Sequence, residues 1–590
     1  MKFGRTVKLL KPYRIHLVVG PFFKLTEAVL ELLVPLIIAQ IIDQGIATGD
    51  TDFIWRRGLL AFGLAAAGLL SALICQYTAS LAAQGYGTDL RNMLAERILH
   101  LPVETADRFG AQSLSNRLIV DTSTLQQAVA MLIRLVVRAP FLSIGALVMA
   151  LLIDWQLAFV FVFIIPVFIW ILYLIMSKSV PLHRSTLVRQ DELSSIMQEN
   201  LVGMRVIRAF DRQQLRSEKF FAANSRLTSL IEQAGKLTAW LNPMTLFLLN
   251  IANLAGLGFG GWRIDNARMS HGQLIALINY LTQILQALIV VANLVMLYSR
   301  SWSAAGRVEE VLAADTTGKS DVAVSATDSS AGNLDLDPAG IVFDQVDFSY
   351  PSSSGLLFQG LSFSLKPGTL NGLIGPAGSG KSTIAKILLR LYSIKNGRIS
   401  LGGQELTSMN ESELTGLIGY VPQNPALVTG TIEENLRLGR NEYTEEELWH
   451  VLRLAQAEDF VRAKEDGLKT QVTRGGRNFS GGQRQRLAIA RALLGAPSII
   501  IFDDSTSALD YATDLALRRA VMSDPQLNKS MWIIISQRIA NIRDADSILL
   551  LDDGQLIAQG NHDELMSSSQ MYRDLYHSQL DTRQQEGRTV

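Results

Sequence analysis

The sequence predicts a membrane-embedded bundle of α-helices fused to a C-terminal α/β domain with a phosphate-binding loop. The first observation behind this fold class is composition, since 48% of the 590 residues are hydrophobic and 18% are charged, which is too apolar for a soluble chain of this length. The second is that the long apolar stretches lie between residues 17 and 299. The third is a glycine-rich motif at residues 375–382, in a part of the chain whose apolar runs are short and β-branched.

Charge and cysteine content exclude several functional classes. Lysine and arginine together number 54, as do aspartate and glutamate, so no net positive charge favours a nucleic-acid partner. The single cysteine, Cys75, cannot form an intrachain disulfide, and no Cys/His cluster has the spacing of a zinc site. We therefore expect neither nucleic acid nor a structural metal.

Six stretches are long enough to cross a bilayer, for which a helix needs about 20 predominantly apolar residues. Lysine and arginine are concentrated in the N-terminal arm and after the second and fourth stretches, which places these parts on the cytoplasmic side of the cell membrane. The two inner segments are each about fifty residues long, so their helices should extend roughly 35 Å beyond the bilayer. The six stretches cover residues 17–42, 58–84, 136–153, 157–176, 237–262 and 273–298.

Changes in composition mark the domain boundaries. Residues 313–338 are rich in Ser, Thr, Ala, Asp and Gly, which is typical of a flexible linker. The sequence therefore predicts a transmembrane domain at 1–312, this linker, a nucleotide-binding domain at 339–578 and a disordered tail at 579–590. Short β-rich runs predict buried, largely parallel strands in the second domain, at 498–502, 532–535 and 548–551.

The glycine-rich motif has the context that a phosphate-binding loop requires, because it follows the apolar stretch 370–374 and precedes the helical run 384–391. Its glycines allow backbone N–H groups to converge on phosphate oxygens, Lys381 reaches the outer phosphates, and the Ser382 hydroxyl suits Mg²⁺. The predicted nucleotide-binding residues are Gly375, Pro376, Ala377, Gly378, Ser379, Gly380, Lys381, Ser382 and Thr383.

Two further features of this domain concern the same chemistry. Asp503 ends a buried apolar run, an arrangement that places a carboxylate beside the Mg²⁺ of a phosphate-binding loop. A Ser-Gly-Gly turn at a predicted helix start offers a second anion-binding N-terminus. This turn comprises Ser480, Gly481 and Gly482, followed by Gln483. Two anion sites in one domain need an explanation.

These motifs resemble the nucleotide-binding domain of ABC transporters, and the six apolar stretches resemble the exporter branch of that family. In the family, two such domains pair head to tail, so that each ATP lies between the phosphate-binding loop of one chain and the Ser-Gly-Gly signature of the other. The resemblance implies ATP and Mg²⁺, and short coupling helices near residues 113–117 and 203–210. It assigns adenine stacking to Tyr350, metal and water sensing to Gln423, the metal site to Ser382, Gln423 and Asp503, and the D-loop to residues 507–510, including Asp510.

Two residues of the predicted catalytic site depart from the family pattern. Asp504 follows Asp503 where active members usually have Glu, and Gln537 stands at the switch position where they usually have His. A carboxylate one methylene shorter positions water less well, and an amide cannot carry a proton. Together with Gln423 these are the predicted catalytic residues, and the two departures predict a slow ATP site.

A complete signature beside a degenerate site resembles one subunit of the bacterial heterodimeric multidrug exporters. The signature then serves the intact ATP site of a second, non-identical half-transporter. The predicted partners are that subunit, membrane lipid and a small amphipathic substrate. Alternatives on the same scaffold are a lipid, peptide or siderophore transporter, a homodimeric exporter, and a regulatory ATPase or nucleotide-gated channel in which slow hydrolysis acts as a timer.

Amide side chains recur at helical spacing in the fifth and sixth apolar stretches. Amides that face lipid are costly, so these are expected to face the bundle interior, where they either line a translocation cavity or join helices. Glu27 and Glu31, one turn apart in the first stretch, either bind a cationic compound or protons, or form an internal pair with Lys24. The amides are Asn250, Asn253, Asn279, Gln283, Gln286 and Asn293.

Overall fold

The computed structural model describes residues 4–266, 268–314, 340–351, 353, 355–440, 442–505 and 509–586. It divides into two compact units, of which the first comprises Met1–His100 and Ala111–Ala314 and the second Leu101–Gly110 and Asp315–Val590. From residue 315 onward, the predicted linker lies outside the described residues, as do residues 587–590 of the predicted tail.

The N-terminal half of the chain is built of helices joined by short turns, with no strand among its described residues. Several helices continue into one another through π-helical turns at Ile41–Ile46, Arg117–Asp121 and Leu132–Val136. The α-helices are α1 (Gly4–Lys8), α2 (Arg14–Gln40), α3 (Thr51–Leu99), α4 (Val103–Phe109), α5 (Ala111–Asn116), α6 (Thr122–Met131), α7 (Arg138–Ile153), α8 (Trp155–Val202), α9 (Met204–Ala209), α10 (Gln213–Ala239), α11 (Leu241–Asp265) and α12 (His271–Ala313).

Six helical segments within the described residues are long and apolar enough to cross a membrane, which confirms the predicted six-span organisation. The helices are longer than the apolar stretches because they continue into the inner segments. Helix α3 alone has 49 residues, or roughly 70 Å at 1.5 Å per residue. The segments are Gly4–Ile46, Thr51–Leu99, Ala111–Ile153, Ile165–Leu182, Gln213–Asp265 and His271–Ala313.

A buried carboxylate, Asp154, fixes the turn between α7 and α8. Asp154 is the single residue between α7 and α8, and its Oδ1 accepts hydrogen bonds from the backbone N–H groups of Gln156 and Leu157, each at 2.9 Å. This carboxylate also pairs with Arg263 of α11 at 2.7 Å, and both side chains are buried. Because a buried ion pair with one partner removed is strongly destabilised, this contact holds the turn to the neighbouring helix.

Short helices occur at both predicted coupling segments, but the short helix that groups with the second unit lies elsewhere. Residues 113–117 lie within α5 and the π-turn that follows, and the Arg117 side chain is buried, where it donates to the backbone oxygen of Arg307. The short helix that groups with the second unit is α4, about ten residues earlier. Pro102 precedes α4 and Gly110, with φ +75°, ends it, so proline and glycine bracket the helix. The other predicted segment, 203–210, does contain a short helix, α9.

Within the second unit, α4 contacts the nucleotide-binding domain through a hydrogen bond from the Tyr392 hydroxyl to the Asp107 carboxylate. Burial, reinforced by this carboxylate, raises the pKa of the Tyr392 hydroxyl. The hydroxyl therefore stays a donor.

The second unit is built around a six-stranded sheet in the order β12-β11-β3-β10-β9-β6, in which all strands except β12 are parallel. An antiparallel sheet in the order β2-β1-β4-β5 packs with it around one hydrophobic core. The strands are β1 (Ile341–Phe348), β2 (Phe358–Leu365), β3 (Leu370–Ile374), β4 (Asn396–Leu401), β5 (Gln404–Glu405), β6 (Ile418–Val421), β7 (Gly430–Thr431), β8 (Gln471–Val472), β9 (Ile499–Asp503), β10 (Met531–Ile535), β11 (Ser547–Asp552) and β12 (Gln555–Gly560).

Helices cover the large sheet and form a second core with its other face. The predicted strands 498–502, 532–535 and 548–551 correspond to β9, β10 and β11, and all three are buried. The helices are α13 (Lys381–Leu388), α14 (Glu411–Leu417), α15 (Ile432–Arg437), α16 (Glu445–Leu454), α17 (Glu458–Arg462), α18 (Gly481–Leu493), α19 (Tyr511–Met522), α20 (His562–Ser568) and α21 (Gln570–Glu586).

The C-terminal helix differs from the predicted tail. Helix α21 runs to Glu586, whereas the sequence predicted disorder from residue 579. The helix is anchored by Tyr572, which is fully buried beside Ile539 and Ile542. A polar composition after residue 579 gave no sign of this anchor because the buried contacts lie earlier in the helix.

Ile501 offers a test of the sheet as the core of the second unit. It is fully buried in β9, so Ile501→Ala should lower the free energy of unfolding by about 2–5 kcal/mol and the midpoint of thermal unfolding by several degrees. Ile557 in β12 is 48% exposed, and Ile557→Ala should change stability by less than about 0.5 kcal/mol. Equal losses measured by calorimetry on the two variants would contradict the burial of β9.

Candidate functional site

The glycine-rich loop joins β3 to α13, as predicted, and two of its glycines are required by close packing. A Cβ atom at Gly375 would overlap the carbonyl oxygen of Leu551, and one at Gly380 would overlap the ring of Phe358. Gly380 also has φ +97°, a conformation that other residues rarely adopt. The loop can therefore lie close to the sheet with its N–H groups gathered at the start of α13.

The Lys381 side chain is buried within the loop. Its ammonium group donates hydrogen bonds to the backbone oxygens of Gly375 at 2.9 Å and Pro376 at 2.6 Å, and to Ser379 Oγ at 3.1 Å. Burial lowers the pKa of Lys381, and the carboxylates of Asp504 and Asp503 oppose this shift. A cation held at this place has the charge and position to meet phosphate oxygens.

Asp503 ends β9 with both carboxylate oxygens engaged. Ser382 Oγ donates to Oδ1 at 2.6 Å, and the Tyr420 hydroxyl donates to Oδ2 at 3.1 Å. Tyr420 lies on β6, next to β9, and was missed by the sequence analysis because it reaches Asp503 through the pairing of these strands. Burial and the negative charge of Asp503 raise the pKa of Tyr420, so the phenol stays a donor.

Asp504 lies beside Gln423, whose Nε2 donates to Asp504 Oδ2 at 3.4 Å. The Asp504 backbone has φ +46°, a left-handed conformation that Asp tolerates better than most residues, and its N–H donates to the Ile535 oxygen of β10. Burial and the neighbouring Asp503 raise the pKa of Asp504, while Arg538, Gln423 and Lys381 oppose the shift.

A cavity of about 470 Å³, within the usual size range of small-molecule sites, is lined by most of the predicted site residues, whereas Gly375, Pro376, Ser379 and Asp503 are not part of its lining. Tyr350 stands at its edge, with its hydroxyl 2.9 Å from Thr383 Oγ1 and its ring packed edge-on against Phe348 and Tyr392. The predicted site residues that line the cavity are Tyr350, Ala377, Gly378, Gly380, Lys381, Ser382, Thr383, Gln423, Asp504 and Gln537.

The segment that carries Gln537 is held by a residue that the sequence analysis placed in a disordered tail. Gln579 of α21 donates from Nε2 to the backbone oxygen of Gln537 at 2.8 Å, and its Oε1 accepts from the backbone N–H of Ile539 at 2.9 Å. The amide thus satisfies a donor and an acceptor on either side of Arg538. No local sequence signal marks this role, because it depends on how α21 packs.

The signature turn forms a helix start away from the cavity. Ser480 is the N-cap of α18, its Oγ accepting from the Gln483 N–H at 3.2 Å while Gln483 Oε1 accepts from the Ser480 N–H at 2.9 Å. Ser480 and Gly481 are exposed and Gly482 is half-buried, so the turn is open to a ligand from outside this domain. None of the four residues lines the 470 Å³ cavity of the described chain.

Asp510 is the N-cap of α19, its carboxylate accepting from the Thr513 N–H at 3.1 Å. Residues 507 and 508 of the predicted D-loop lie outside the described residues.

The predicted amides of the bundle have different surroundings. Asn279 donates to the Ile275 oxygen of its own helix, and one buried oxygen each of Asn253 and Gln283 has no hydrogen-bond partner in the described structure. Gln286 lines a cavity between helices, whereas Asn250 and Asn293 are exposed in the single chain.

The two acidic residues of α2 are paired. Glu27 binds Lys24 through both carboxylate oxygens, at 2.8 and 2.6 Å, which favours the internal pair for this residue. Glu31 instead pairs with Arg138 of α7 at 2.6 Å, a partner that the sequence analysis did not identify.

The site offers a hydroxyl and a carboxylate for Mg²⁺, namely Ser382 and Asp503, which are already 2.6 Å apart. The described residues include no cluster of three or more His, Cys, Asp or Glu side chains suited to a metal ion. This donor set fits Mg²⁺, which is commonly held by one or two protein groups together with substrate phosphates. The arrangement can bind a nucleoside triphosphate and place a water molecule near Asp504 and Gln423.

Comparison with known proteins agrees with this geometry. A family model described as the ABC transporter transmembrane region matches residues 17–288, and one described as ABC transporter matches residues 358–507. An uncharacterized ABC transporter ATP-binding protein of Mycobacterium tuberculosis is 34% identical over 97% of both chains, and one of Bacillus subtilis is 34% identical over 98% of both.

Two further similarities concern an exporter and its fold. A protein of Lactococcus lactis named as a multidrug resistance ABC transporter ATP-binding and permease protein is 28% identical over 98% of this chain and 95% of its own. The solved structure of a bacterial Atm1-family ABC exporter with ATP bound superposes with a TM-score of 0.79 at 22% identity, covering 96% of this chain and 99% of that one.

Gln579→Ala should loosen the segment 536–541, because the Gln537 oxygen and the Ile539 N–H lose their partner. We expect hydrogen–deuterium exchange of this segment to accelerate by about tenfold, the size expected for the loss of one or two hydrogen bonds. Gln570→Ala, on the same helix and bonded to Asp574 and Arg573, is the control and should leave the exchange of this segment unchanged. Similar exchange in both variants would show that Gln579 does not hold the segment.

Proposed function

Because this chain belongs to the ABC transporter family, to which relatives 34% identical over 97% of its length also belong, we propose that it is one subunit of a heterodimeric exporter of amphipathic compounds, with a slow ATP site of its own. The chain is a half-transporter with one transmembrane and one ATP-binding domain. It is a multi-pass membrane protein whose nucleotide-binding domain is cytoplasmic, and it couples ATP hydrolysis to transport.

The observation that carries the proposal is the pair of Asp504 and Gln537, both of which line the same 470 Å³ cavity. Neither supplies what fast hydrolysis needs. Asp504 has a short carboxylate that already accepts a hydrogen bond from Gln423, and Gln537 is a neutral amide. Because two groups of the same site are weakened, we expect the site to hold ATP for long periods and to hydrolyse it slowly.

Nucleotide binding itself is well supported by the site. The loop N–H groups and Lys381 would hold the phosphates, and the ring of Tyr350, braced by Phe348 and Tyr392, would stack on the base. Ser382 and Asp503 would hold Mg²⁺, which neutralises phosphate charge when bound. Asp504 and Gln423 would orient the attacking water, and the length of the Asp504 side chain limits that step.

The signature supports the second half of the proposal. Ser480 and Gly481 are exposed at the N-terminus of a 13-residue helix, and they lie outside the cavity of this chain. A helix start of this kind attracts the phosphates of a nucleotide bound elsewhere. In a mixed pair this turn would complete the partner's ATP site, where fast hydrolysis occurs.

The proposed substrate class rests on the bundle and on one relative. The Lactococcus protein similar to this chain is named a multidrug resistance transporter. Buried amide oxygens of Asn253 and Gln283 lack partners within the described residues, as expected for groups that meet water or a moderately polar compound.

Coexpression with candidate half-transporters tests the asymmetric pair. In the purified complex, Ser480→Ala in this chain should lower ATP turnover at least about tenfold, because it removes a hydrogen-bonding group from the partner's site. Asp504→Ala should have little effect. Thr444→Ala removes the same kind of capping box from α16 and is the matched control for helix capping. Full turnover by this chain purified alone would overturn the proposal.

Restoring the two departures should activate this chain as a homodimer. We expect Asp504→Glu with Gln537→His to raise ATP turnover by about 10- to 100-fold, since a positioned carboxylate and imidazole act directly on the reacting water. Asp504→Asn with Gln537→His keeps a residue that tolerates the left-handed backbone but removes the charge, and should show no gain. An equal gain in both double variants would mean that a carboxylate at position 504 is not needed.

A further inference from the structure

A second cavity lies inside the helical unit, between α2, α7 and α12. Its volume is about 110 Å³. Three of its lining residues are polar, Glu31, Arg138 and Gln286, and the rest are small or aliphatic. A cavity of this size admits a head group but not a whole drug-sized compound, whose sites measure about 300–1,000 Å³.

The ion pair in this cavity is only partly satisfied. Arg138 Nη2 donates to Glu31 Oε2 at 2.6 Å, and the side chains are 25% and 37% exposed. Within the described chain, Glu31 Oε1 accepts no hydrogen bond, and the buried Arg138 Nε has no hydrogen-bond partner. The pair therefore keeps one free acceptor, on Glu31, and one free donor, on Arg138.

The neighbouring pair on α2 is closed by comparison. Lys24 occupies both oxygens of Glu27, the two side chains are 14% and 16% exposed, and neither lines the cavity. Arg138 Nε is 3.9 Å from Glu27 Oε1, too far for a hydrogen bond. Of these four charges, only Glu31 and Arg138 are open to a ligand.

We propose that this cavity binds the head group of a zwitterionic amphipathic compound, with its acidic group on Arg138 and its ammonium on Glu31. A cation alone would compete with Arg138 for Glu31 and leave the guanidinium unpaired inside a membrane protein, and an anion alone would leave Glu31 unpaired. A head group that carries both charges pairs with both residues, and Gln286 adds an amide hydrogen bond.

The surrounding residues fit the rest of such a compound. Leu135, Leu142 and Val290 line the cavity beside the charged pair and can cover the methylene groups next to the head group. This inference rests on the proposed function, because it names the head group of the compounds that the proposed exporter would carry.

The test compares three dodecyl compounds that differ only in the head group: dodecyl phosphoethanolamine, dodecylamine and dodecyl phosphate. Binding of the labelled compounds is measured on the purified full-length chain in nanodiscs, with empty nanodiscs subtracted. The wild-type chain should bind the zwitterion at least about tenfold more tightly than either the purely cationic amine or the purely anionic phosphate, the effect of one charge-assisted hydrogen bond. Equal binding of all three would overturn the proposal.

Two single variants should change the order of binding in opposite directions. Glu31→Gln should weaken the zwitterion and the amine and strengthen the phosphate, whereas Arg138→Gln should weaken the zwitterion and the phosphate and strengthen the amine. Arg134→Gln is the matched control, because Arg134 lies one turn from Arg138, donates to Ser80 at 2.9 Å and does not line the cavity. A parallel loss for all three compounds in both variants would indicate a structural role and overturn the proposal.

Exchange of the charges keeps the test valid where a single variant fails to fold. Glu31→Arg with Arg138→Glu retains the pair and should again prefer the zwitterion, with nucleotide binding as the check of folding. Loss of this preference in the folded double variant would overturn the proposal.

The nanodisc lipid separates two sources of the head group. Competition by phosphatidylethanolamine, but not by phosphatidylglycerol, would identify a lipid head group as the occupant. Binding unaffected by either lipid would identify a free compound. Both outcomes support the site.

The proposed function and this inference fail separately. The binding measurement needs neither hydrolysis nor fast turnover. If the wild-type chain shows no preference for the zwitterion, the inference alone is overturned. Absence of ATP-driven transport by the coexpressed pair, with the binding order intact, would overturn the proposed function alone.

Discussion

The hydrogen bond from Ser382 to Asp503 joins the two motifs on which the second unit depends. It exists because β3, which leads into the loop, and β9, which ends in the acid, are parallel to the same neighbour, β10. Parallel strands deliver their carboxyl ends to one edge of the sheet, so the loop, the acid and the switch segment after β10 meet without any direct sequence link. The site therefore exists because β3, β10 and β9 are neighbours in the sheet.

Most of the fold and part of the site could be predicted because their signals are local. The length of the apolar stretches predicted six membrane helices, and the glycines before Lys381 predicted the phosphate-binding loop. Tyr420 and Gln579 could not be found in this way, since each reaches the site through strand pairing or helix packing across many residues. Helix α4 was not predicted either, although Pro102 and Gly110 bracket it in the sequence.

Electrostatics in the two units differ in kind. In the nucleotide-binding domain, Lys381 and Asp504 line one cavity, and the charges of the site have neutral partners: Lys381 binds backbone oxygens, and Asp503 accepts from two hydroxyl groups. In the helical unit, several charges occur as pairs that cancel, such as Arg263 with Asp154. Paired charges are the form in which ionisable groups persist in a membrane, and a pair with open donors and acceptors can exchange one partner for a ligand.

The assignment of Leu101–Gly110 to the second unit bears on how this chain can be divided. A fragment that begins after residue 339 contains every strand of both large sheets but not Asp107, the acceptor for Tyr392. Its surface would expose a phenol that the intact chain keeps bonded. Chimeras that exchange ATP-binding domains between relatives therefore face a junction that is discontinuous in sequence, and residue 392 must match a helix 285 positions upstream.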